Sequence, residues 1–343
     1  MLNMVHRLRL LILMCLLGAL ATKAAAAGAG GACANPQTDL GVERIVEIDT
    51  KSGPLYGAIS LLEKEDSFLG PKEVVLTFDD GPLPEVTNSI LDTLDQFCTK
   101  ATFFSVGRMA LAYPRTLKDI LRRGHTLGGH SWSHPLNLKR MKFEKAVEQI
   151  ENGFAAISVS TGGAVAPFFR FPGLSDSNKL LHHLQERGIA TFTVDVVSDD
   201  SFIRNWRHLV SLTVNRIEQR QGGIVLFHDI KSVTKKALPH ILKTLKKRGY
   251  KVVHLRAKRG LQPKPEAQAL MQKRFDNKHN KKKKIAALNM PFVGMPAPQR
   301  FTAVIGAGPP VETLSPAPKA RGVMRAETIP IPDRKPETEK EYK

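Results

Sequence analysis

The feature of this chain that most constrains its fold is a regular alternation of short apolar runs with longer amphipathic stretches, between about residues 73 and 256. Short apolar runs are typical of buried strands, and amphipathic stretches between them are typical of the helices that connect parallel strands. The predicted strands lie at 74–78, 101–106, 125–128, 168–171, 191–194, 223–227 and 252–255. The predicted helices lie at 85–97, 113–122, 142–158, 177–186, 210–219 and 233–247.

Seven strands in about 185 residues are too few for a complete eightfold barrel, so we predict an α/β fold with an incomplete or distorted barrel. The alternative is a doubly wound open sheet, but no glycine-rich phosphate loop follows the first strand. In both architectures, active sites lie at the carboxyl ends of the strands. The polar residues at these ends are Asp79, Asp80, His130, His134, Arg170, Asp195, Asp199, Asp200, His228 and Asp229.

Two adjacent carboxylates, Asp79 and Asp80, end the first predicted strand and enter an Asp-Gly-Pro turn. Each raises the pKa of the other, so a divalent metal for one and a paired arginine for the other would separate their roles. His130 and His134 are four residues apart, a spacing at which one helical turn brings both rings to the same side. With Asp80 they predict a His₂Asp site for Zn²⁺, with Co²⁺ or Ni²⁺ as substitutes. Taken alone, each motif is also compatible with a solvated turn or with surface histidines.

The remaining polar residues predict the groups that amide hydrolysis requires. A metal lowers the pKa of water, and Asp79 is the predicted base, kept ionised by an ion pair with Arg170. His228 ends an apolar strand and is the predicted acid for the departing amine, although a lone histidine there would also fit a core position. A nearby carboxylate would keep its ring protonated. The candidates for that carboxylate are Asp200 first, then Asp195 and Asp199.

These residues, in this order, resemble the motifs of the polysaccharide deacetylase family, also called the NodB-homology or carbohydrate esterase 4 family. The resemblance spans roughly residues 71–255. The motif Thr-Phe-Asp-Asp-Gly-Pro is complete at 77–82, His-Ser/Thr-x-x-His is met at 130–134, and Leu-x-His is met at 226–228. The resemblance implies a distorted (β/α)₇ barrel, with Asp79 as base and Asp80 as metal ligand.

Two further motifs depart from the family pattern. Arg-x-Pro is met at 170–172, but Gly173 follows directly, without the usual aromatic residue. The Asp-rich stretch at 195–200 continues into Ser201, where the family has a tryptophan. We therefore expect sugar stacking to be altered, or to be taken over by Phe202 or Trp206.

The N-terminus predicts export to the periplasm or the outside of the cell. A basic start, an apolar run at 10–21 and small residues at 24–27 compose a secretory signal, which we assign to residues 1–27. An uncleaved membrane anchor is the alternative, although the apolar run is short for a span. A lipoprotein is disfavoured because Cys33 lacks the leucine expected three residues before it. Residues 28–71 are assigned to an N-terminal lead-in, 72–258 to the deacetylase domain and 259–343 to a basic, proline-rich tail.

The chain has three cysteines, and the predicted export decides which of them could form a disulfide. Cys15 would leave with the signal peptide, so Cys33 and Cys98 remain. In an oxidising compartment they would form one disulfide, and the alternative is two separate thiols.

The basic tail carries much of the formal charge of +19, because residues 256–343 contain 19 Lys and Arg against 8 Asp and Glu. With proline and glycine throughout, it is predicted to be disordered. For an exported protein we expect an anionic envelope surface, and not nucleic acid, as its contact, with a solvated tail that has no partner as the alternative.

Together these features predict an exported, metal-dependent hydrolase that removes N-acetyl groups from a GlcNAc-containing glycan. Peptidoglycan, chitin-like oligosaccharides and poly-GlcNAc are the candidate substrates. The alternatives are an esterase for O-acetylated polysaccharide and a catalytically silent glycan-binding module. The sequence does not indicate an oligomeric state.

Overall fold

Ten strands and eight α-helices make up the part of the chain that the computed structural model describes, residues 39–58 and 67–288. The strands are β1 Arg44–Ile48, β2 Leu55–Tyr56, β3 Glu73–Asp79, β4 Thr102–Ser105, β5 Thr126–Gly129, β6 Phe168–Phe169, β7 Ala190–Phe192, β8 Val196–Val197, β9 Gly222–His228 and β10 Lys251–Ala257. The helices are α1 Pro84–Gln96, α2 Gly107–Ala112, α3 Pro114–Arg122, α4 Phe143–Thr161, α5 Asn178–Glu186, α6 Trp206–Gln219, α7 Ser232–Lys247 and α8 Pro265–Leu288.

The described strands pair in parallel around β3. Strand β9 pairs with all of β3, from Glu73 opposite Gly222 to Asp79 opposite His228, and β4 pairs with its carboxyl end. The sheet continues through β5 and β6 to β7, and the chain then passes into β8, which pairs back onto β9. The sheet thereby closes as a distorted barrel, extended by β10 and β1 from the start of β3.

Side chains on these strands alternate between the helix layer and the barrel interior, and this alternation positions the site. On β3, Leu76 and Phe78 belong to the core shared with the helices, whereas Val75 belongs to a core inside the barrel. Residues two apart share a face, so Asp79 lies on the interior side with Val75. The same alternation on β5, β6 and β9 carries His130, Arg170 and His228 to the interior.

The seven predicted strands and six predicted helices are confirmed, with ends shifted by a few residues. Strands β1, β2 and β8 and helices α2 and α8 were not predicted. The prediction of a disordered tail was wrong for residues 265–288, which form α8 because Ala267 and Met271 give it an apolar side that packs on α4. None of the described helices combines the length and apolar character that a membrane crossing requires.

Several predictions concern residues outside the described ranges. The signal peptide, Cys33 and the tail beyond residue 288 are among them. Cys98 is within the described part and is disulfide-bonded. The predicted disulfide requires this state of Cys98, whereas the alternative of two separate thiols does not allow it.

Candidate metal centre and active site

The turn after β3 positions Asp79 and Asp80. Asp79 continues the strand and is buried, whereas Asp80 has a φ of +79°, in the left-handed region that non-glycine residues rarely adopt. The buried carboxylate of Asp229 holds this turn, because it accepts hydrogen bonds from the Gly81 N–H at 2.9 Å and from Thr87 Oγ1 at 2.7 Å. A Cβ on Gly81 would collide with that carboxylate, so the turn requires glycine.

Three ligand atoms, one each from Asp80, His130 and His134, lie within 4.8 Å of one another. Asp80 Oδ1 is 3.1 Å from His134 Nε2 and 3.5 Å from His130 Nε2. This oxygen is buried and accepts no hydrogen bond from the described residues. A buried carboxylate oxygen without a donor is costly unless a cation compensates it. The three residues therefore fit a divalent metal.

His130 is prepared to act as a neutral ligand. Its Nδ1 donates a hydrogen bond to the Arg170 carbonyl at 2.7 Å, which leaves Nε2 as the unprotonated nitrogen beside Asp80. Burial lowers the pKa of His130 to about 3. The ring is therefore uncharged at neutral pH, which is the form that binds metals.

The prediction that a helical turn joins the two histidines was wrong. They lie in a loop after β5, with their ring centroids 4.9 Å apart. Ser131 and His134 both have left-handed backbones, with φ of +63° and +59°. The chain must reverse directly at the end of a strand, so it turns through these two conformations and not through a helix.

Arg170 fills the barrel interior beneath Asp79. Its Nη1 donates to Asp79 Oδ1 at 2.8 Å and to Thr77 Oγ1 at 2.7 Å, and its other nitrogens donate to the carbonyls of Phe192 and Thr193. Burial raises the pKa of Asp79, and the charge of Arg170 opposes this rise without cancelling it. A carboxylate with a raised pKa is a stronger base than an exposed aspartate, and the ion pair fixes its orientation.

His228 is bound to Asp200 through two contacts. Nδ1 of the ring lies 2.6 Å from Asp200 Oδ1, and the His228 N–H donates to Oδ2 at 2.7 Å. Burial by itself lowers the pKa of His228, but the hydrogen bond and charge of Asp200, together with Asp79 and Asp80, raise it to about 9. The ring is therefore protonated at neutral pH, which is the state that a general acid requires.

The other two carboxylates of this stretch have different partners in the described residues. Asp195 Oδ2 accepts the Ile224 N–H at 2.8 Å, and Asp199 pairs with Arg216 at 2.7 Å. Asp200 is thus the member of the three that contacts His228.

The predicted base and acid both border the three ligand residues. His228 Nε2 is 3.9 Å from Asp80 Oδ2, and Asp79 Oδ2 is 3.8 Å from His130 Nε2. Because Asp79 and His228 are paired in the register of β3 and β9, the sheet fixes their separation. The arrangement can hold a cation, accept a proton and donate a proton within one site.

The sequence indicated Asp229 as a polar strand-end residue but assigned it no role. Burial raises its pKa to about 7, and the charge of Asp80 adds to that rise, although the hydrogen bonds from Thr87 and Gly81 oppose it. Its contact with Gly81 depends on the pairing of β9 with β3, so no local sequence pattern could have revealed it.

Two exposed apolar side chains extend the loops that carry the site. Leu136, two residues after His134, is 68% exposed, and Phe202, two residues after Asp200, is 84% exposed. Trp206, the other predicted replacement for the missing tryptophan, is stacked on His240 with ring centroids 4.5 Å apart. Phe202 is the more accessible of the two candidates.

Comparison with known proteins agrees with this geometry. Residues 68–192 match the sequence model of a family described as polysaccharide deacetylase. A peptidoglycan-N-acetylglucosamine deacetylase of Bacillus cereus is 33% identical over 188 residues, which cover 53% of this chain and 85% of that protein. The chain belongs to the polysaccharide deacetylase family.

Other members of the polysaccharide deacetylase family extend the comparison. Peptidoglycan-N-acetylmuramic acid deacetylase PdaC of Bacillus subtilis is 35% identical over 200 residues, or 58% of this chain. The chain spans about two fifths, 41%, of the length of that relative. Among solved structures, the Bdellovibrio bacteriovorus peptidoglycan deacetylase Bd3279 has a TM-score of 0.59 at 30% identity, covering 67% of this chain and 64% of that one. The predicted fold class is confirmed.

Proposed function

We propose that this member of the polysaccharide deacetylase family removes N-acetyl groups from the amino sugars of an envelope glycan. The observation that carries the proposal is that Asp79, with its raised pKa, and His228, which is protonated, border the same cluster of metal-ligand atoms. Relatives named as deacetylases of N-acetylglucosamine and of N-acetylmuramic acid in peptidoglycan support peptidoglycan as the first candidate substrate. Chitin-like oligosaccharides and poly-GlcNAc follow it.

We infer that Asp80, His130 and His134 hold a divalent cation, with Zn²⁺ as the first candidate and Co²⁺ or Ni²⁺ as substitutes. When bound, such an ion acts as a Lewis acid, which polarises the acetyl carbonyl and lowers the pKa of water.

The side chains around this site divide the proton transfers between them. Arg170 occupies Oδ1 of Asp79, so Oδ2 is the oxygen that accepts a proton from the attacking water. Asp200 occupies Nδ1 of His228, so Nε2 is the atom that donates a proton to the amine nitrogen as the C–N bond breaks. The products are acetate and a free amine on the sugar.

We also propose roles for the parts of the chain around the catalytic domain. Residues 1–27 direct export, so that the protein acts in the periplasm or outside the cell. The basic tail, residues 259–343, contacts an anionic envelope surface. A protein truncated after Asn280, which lacks the run Lys281–Lys284, would then keep its activity on soluble oligosaccharide and lose activity on intact envelope, and equal behaviour on both would contradict the contact.

The catalytic proposal is tested by measuring acetate release from peptidoglycan and from N-acetylglucosamine oligomers. The protein is stripped with a chelator and reloaded with Zn²⁺, and Asp79→Asn is the matched variant. We expect release that disappears on stripping, returns with Zn²⁺ and is absent from the variant. Release only from O-acetylated glycan would replace amide hydrolysis by ester hydrolysis. Glycan binding without any release would favour a silent binding module.

A further inference from the structure

The loop between the two histidine ligands requires support from its surroundings. Trp132 lies near its middle, between Ser131 and His134, whose left-handed backbones are unfavourable for residues other than glycine. Such conformations persist only where neighbouring structure holds them in place. The source of that support determines whether His130 and His134 keep their ligand atoms together.

Helices α2 and α4 hold the backbone of this loop. The N–H of Arg108 donates to the Trp132 carbonyl at 3.0 Å, and the Trp132 N–H donates to the Gln149 carbonyl at 2.7 Å. Gln149 Oε1 also accepts the Ser133 N–H at 3.0 Å. A Cβ on Gly153 would lie 2.7 Å from the Ser131 carbonyl carbon, so glycine lets α4 approach the loop closely.

Helix α8 holds the side chain of Trp132. Met271 is fully buried in a small core to which Trp132 and Phe275 also contribute. The Arg274 guanidinium carbon lies 5.0 Å from the centroid of the Trp132 ring, within the range of a cation–π contact. Helix α8 follows the residues that match the family and also the domain boundary predicted at residue 258.

We propose that α8 is a positioning element for the metal centre, in which Arg274 and Met271 fix Trp132 and thereby hold His130 and His134 beside Asp80. A loop whose tryptophan is fixed loses less conformational freedom when a cation binds, so its affinity for the metal is higher. The inference rests on the metal binding proposed above and is independent of the substrate.

The test measures Zn²⁺ affinity and the environment of Trp132 in the full chain. The protein has two tryptophans, so a Trp206→Phe background makes the emission report on Trp132 alone. In this background Arg274→Ala is compared with Arg274→Lys, which retains a cation, and with Lys273→Ala, which removes an exposed charge from the same helix. Zn²⁺ affinity is measured by competition with a chromophoric chelator, at a temperature where circular dichroism shows every variant folded.

We expect Arg274→Ala to bind Zn²⁺ about two- to fivefold more weakly, the factor that one exposed cation–π contact corresponds to. Its Trp132 emission should shift to the red and become more accessible to acrylamide. Arg274→Lys should recover part of the affinity, and Lys273→Ala should behave as the parent. Met271→Ala should weaken Zn²⁺ binding further, by about tenfold. If Met271→Ala does not fold, the Arg274→Ala variant still tests the inference.

Two results would overturn the inference. One is unchanged Zn²⁺ affinity in Arg274→Ala while Trp132 becomes more accessible, because α8 would then cover the ring without positioning the ligands. The other is a parent protein that binds no Zn²⁺. Weakened Zn²⁺ binding in the variant, with no acetate release from the parent, would leave this inference standing and refute the proposed activity instead.

Discussion

Acid should destabilise this fold through a buried histidine that is not part of the ligand cluster. His254 on β10 is 2% exposed, and its Nδ1 has no hydrogen-bond partner among the described residues. Its Nε2 lies 3.3 Å from Thr126 Oγ1. Burial lowers the pKa of His254 to about 4, and the charges of Arg256 and Lys100 add to this effect.

The direction and size of the change in the free energy of unfolding follow from the pKa values of His254 in the unfolded and folded states. The unfolded chain takes up a proton near the ordinary value of 6.5, whereas the folded protein takes it up only near 4. The contribution to stability is therefore complete above pH 6.5 and is lost as the pH falls towards 4. At pH 5 the loss is about 2 kcal/mol, and below pH 4 it reaches about 3 kcal/mol. His125, whose pKa burial also lowers, acts in the same direction.

The assay is urea unfolding at pH 7.5 and pH 5, which gives the free energy of unfolding at each pH. In His254→Gln the loss of stability between the two pH values should be smaller than in the parent by about 2 kcal/mol. His208→Gln, on an exposed part of α6, is the matched control. An equal pH dependence of the free energy of unfolding in the parent and in His254→Gln would contradict the prediction, because it would show that folding does not lower the pKa of His254.

Three further predictions concern the site. Asp79→Asn should lower kcat by a factor of about 10² to 10⁴ while Zn²⁺ affinity measured by chelator competition stays within a few fold, and full turnover would show that Asp79 is not the base. Asp200→Asn should move the alkaline limb of the pH profile of kcat/KM to lower pH, because the Asp200 carboxylate raises the pKa of His228. Identical pH profiles in the parent and in Asp200→Asn would contradict this role of Asp200. Phe202→Ala should raise KM for a tetrasaccharide more than for a disaccharide, with recovery in Phe202→Tyr, since a stacking platform acts through its ring; equal KM values would exclude it from the substrate groove.

The strands and helices of the barrel could be predicted because each carries a complete local signal. The apolar run of β3 and the amphipathic pattern of α7 contain their own periodicity. Strands β2 and β8 have only two residues each, and they exist because a neighbouring strand pairs with them. Helix α8 was predicted as disordered because the basic composition outweighed two apolar residues that matter only once α4 is beside them.

The same distinction separates the parts of the candidate site. The sequence by itself determined that Asp79, His130, Arg170 and His228 lie at the carboxyl ends of buried strands, and strand alternation then requires them to share the barrel interior. Only the tertiary structure decided which carboxylate meets His228, that the two histidines lie in a strained loop, and that Asp229 holds Gly81. These contacts join residues far apart in the chain, so they depend on the register of β9 against β3 and on how the helices pack, which no single stretch of sequence encodes.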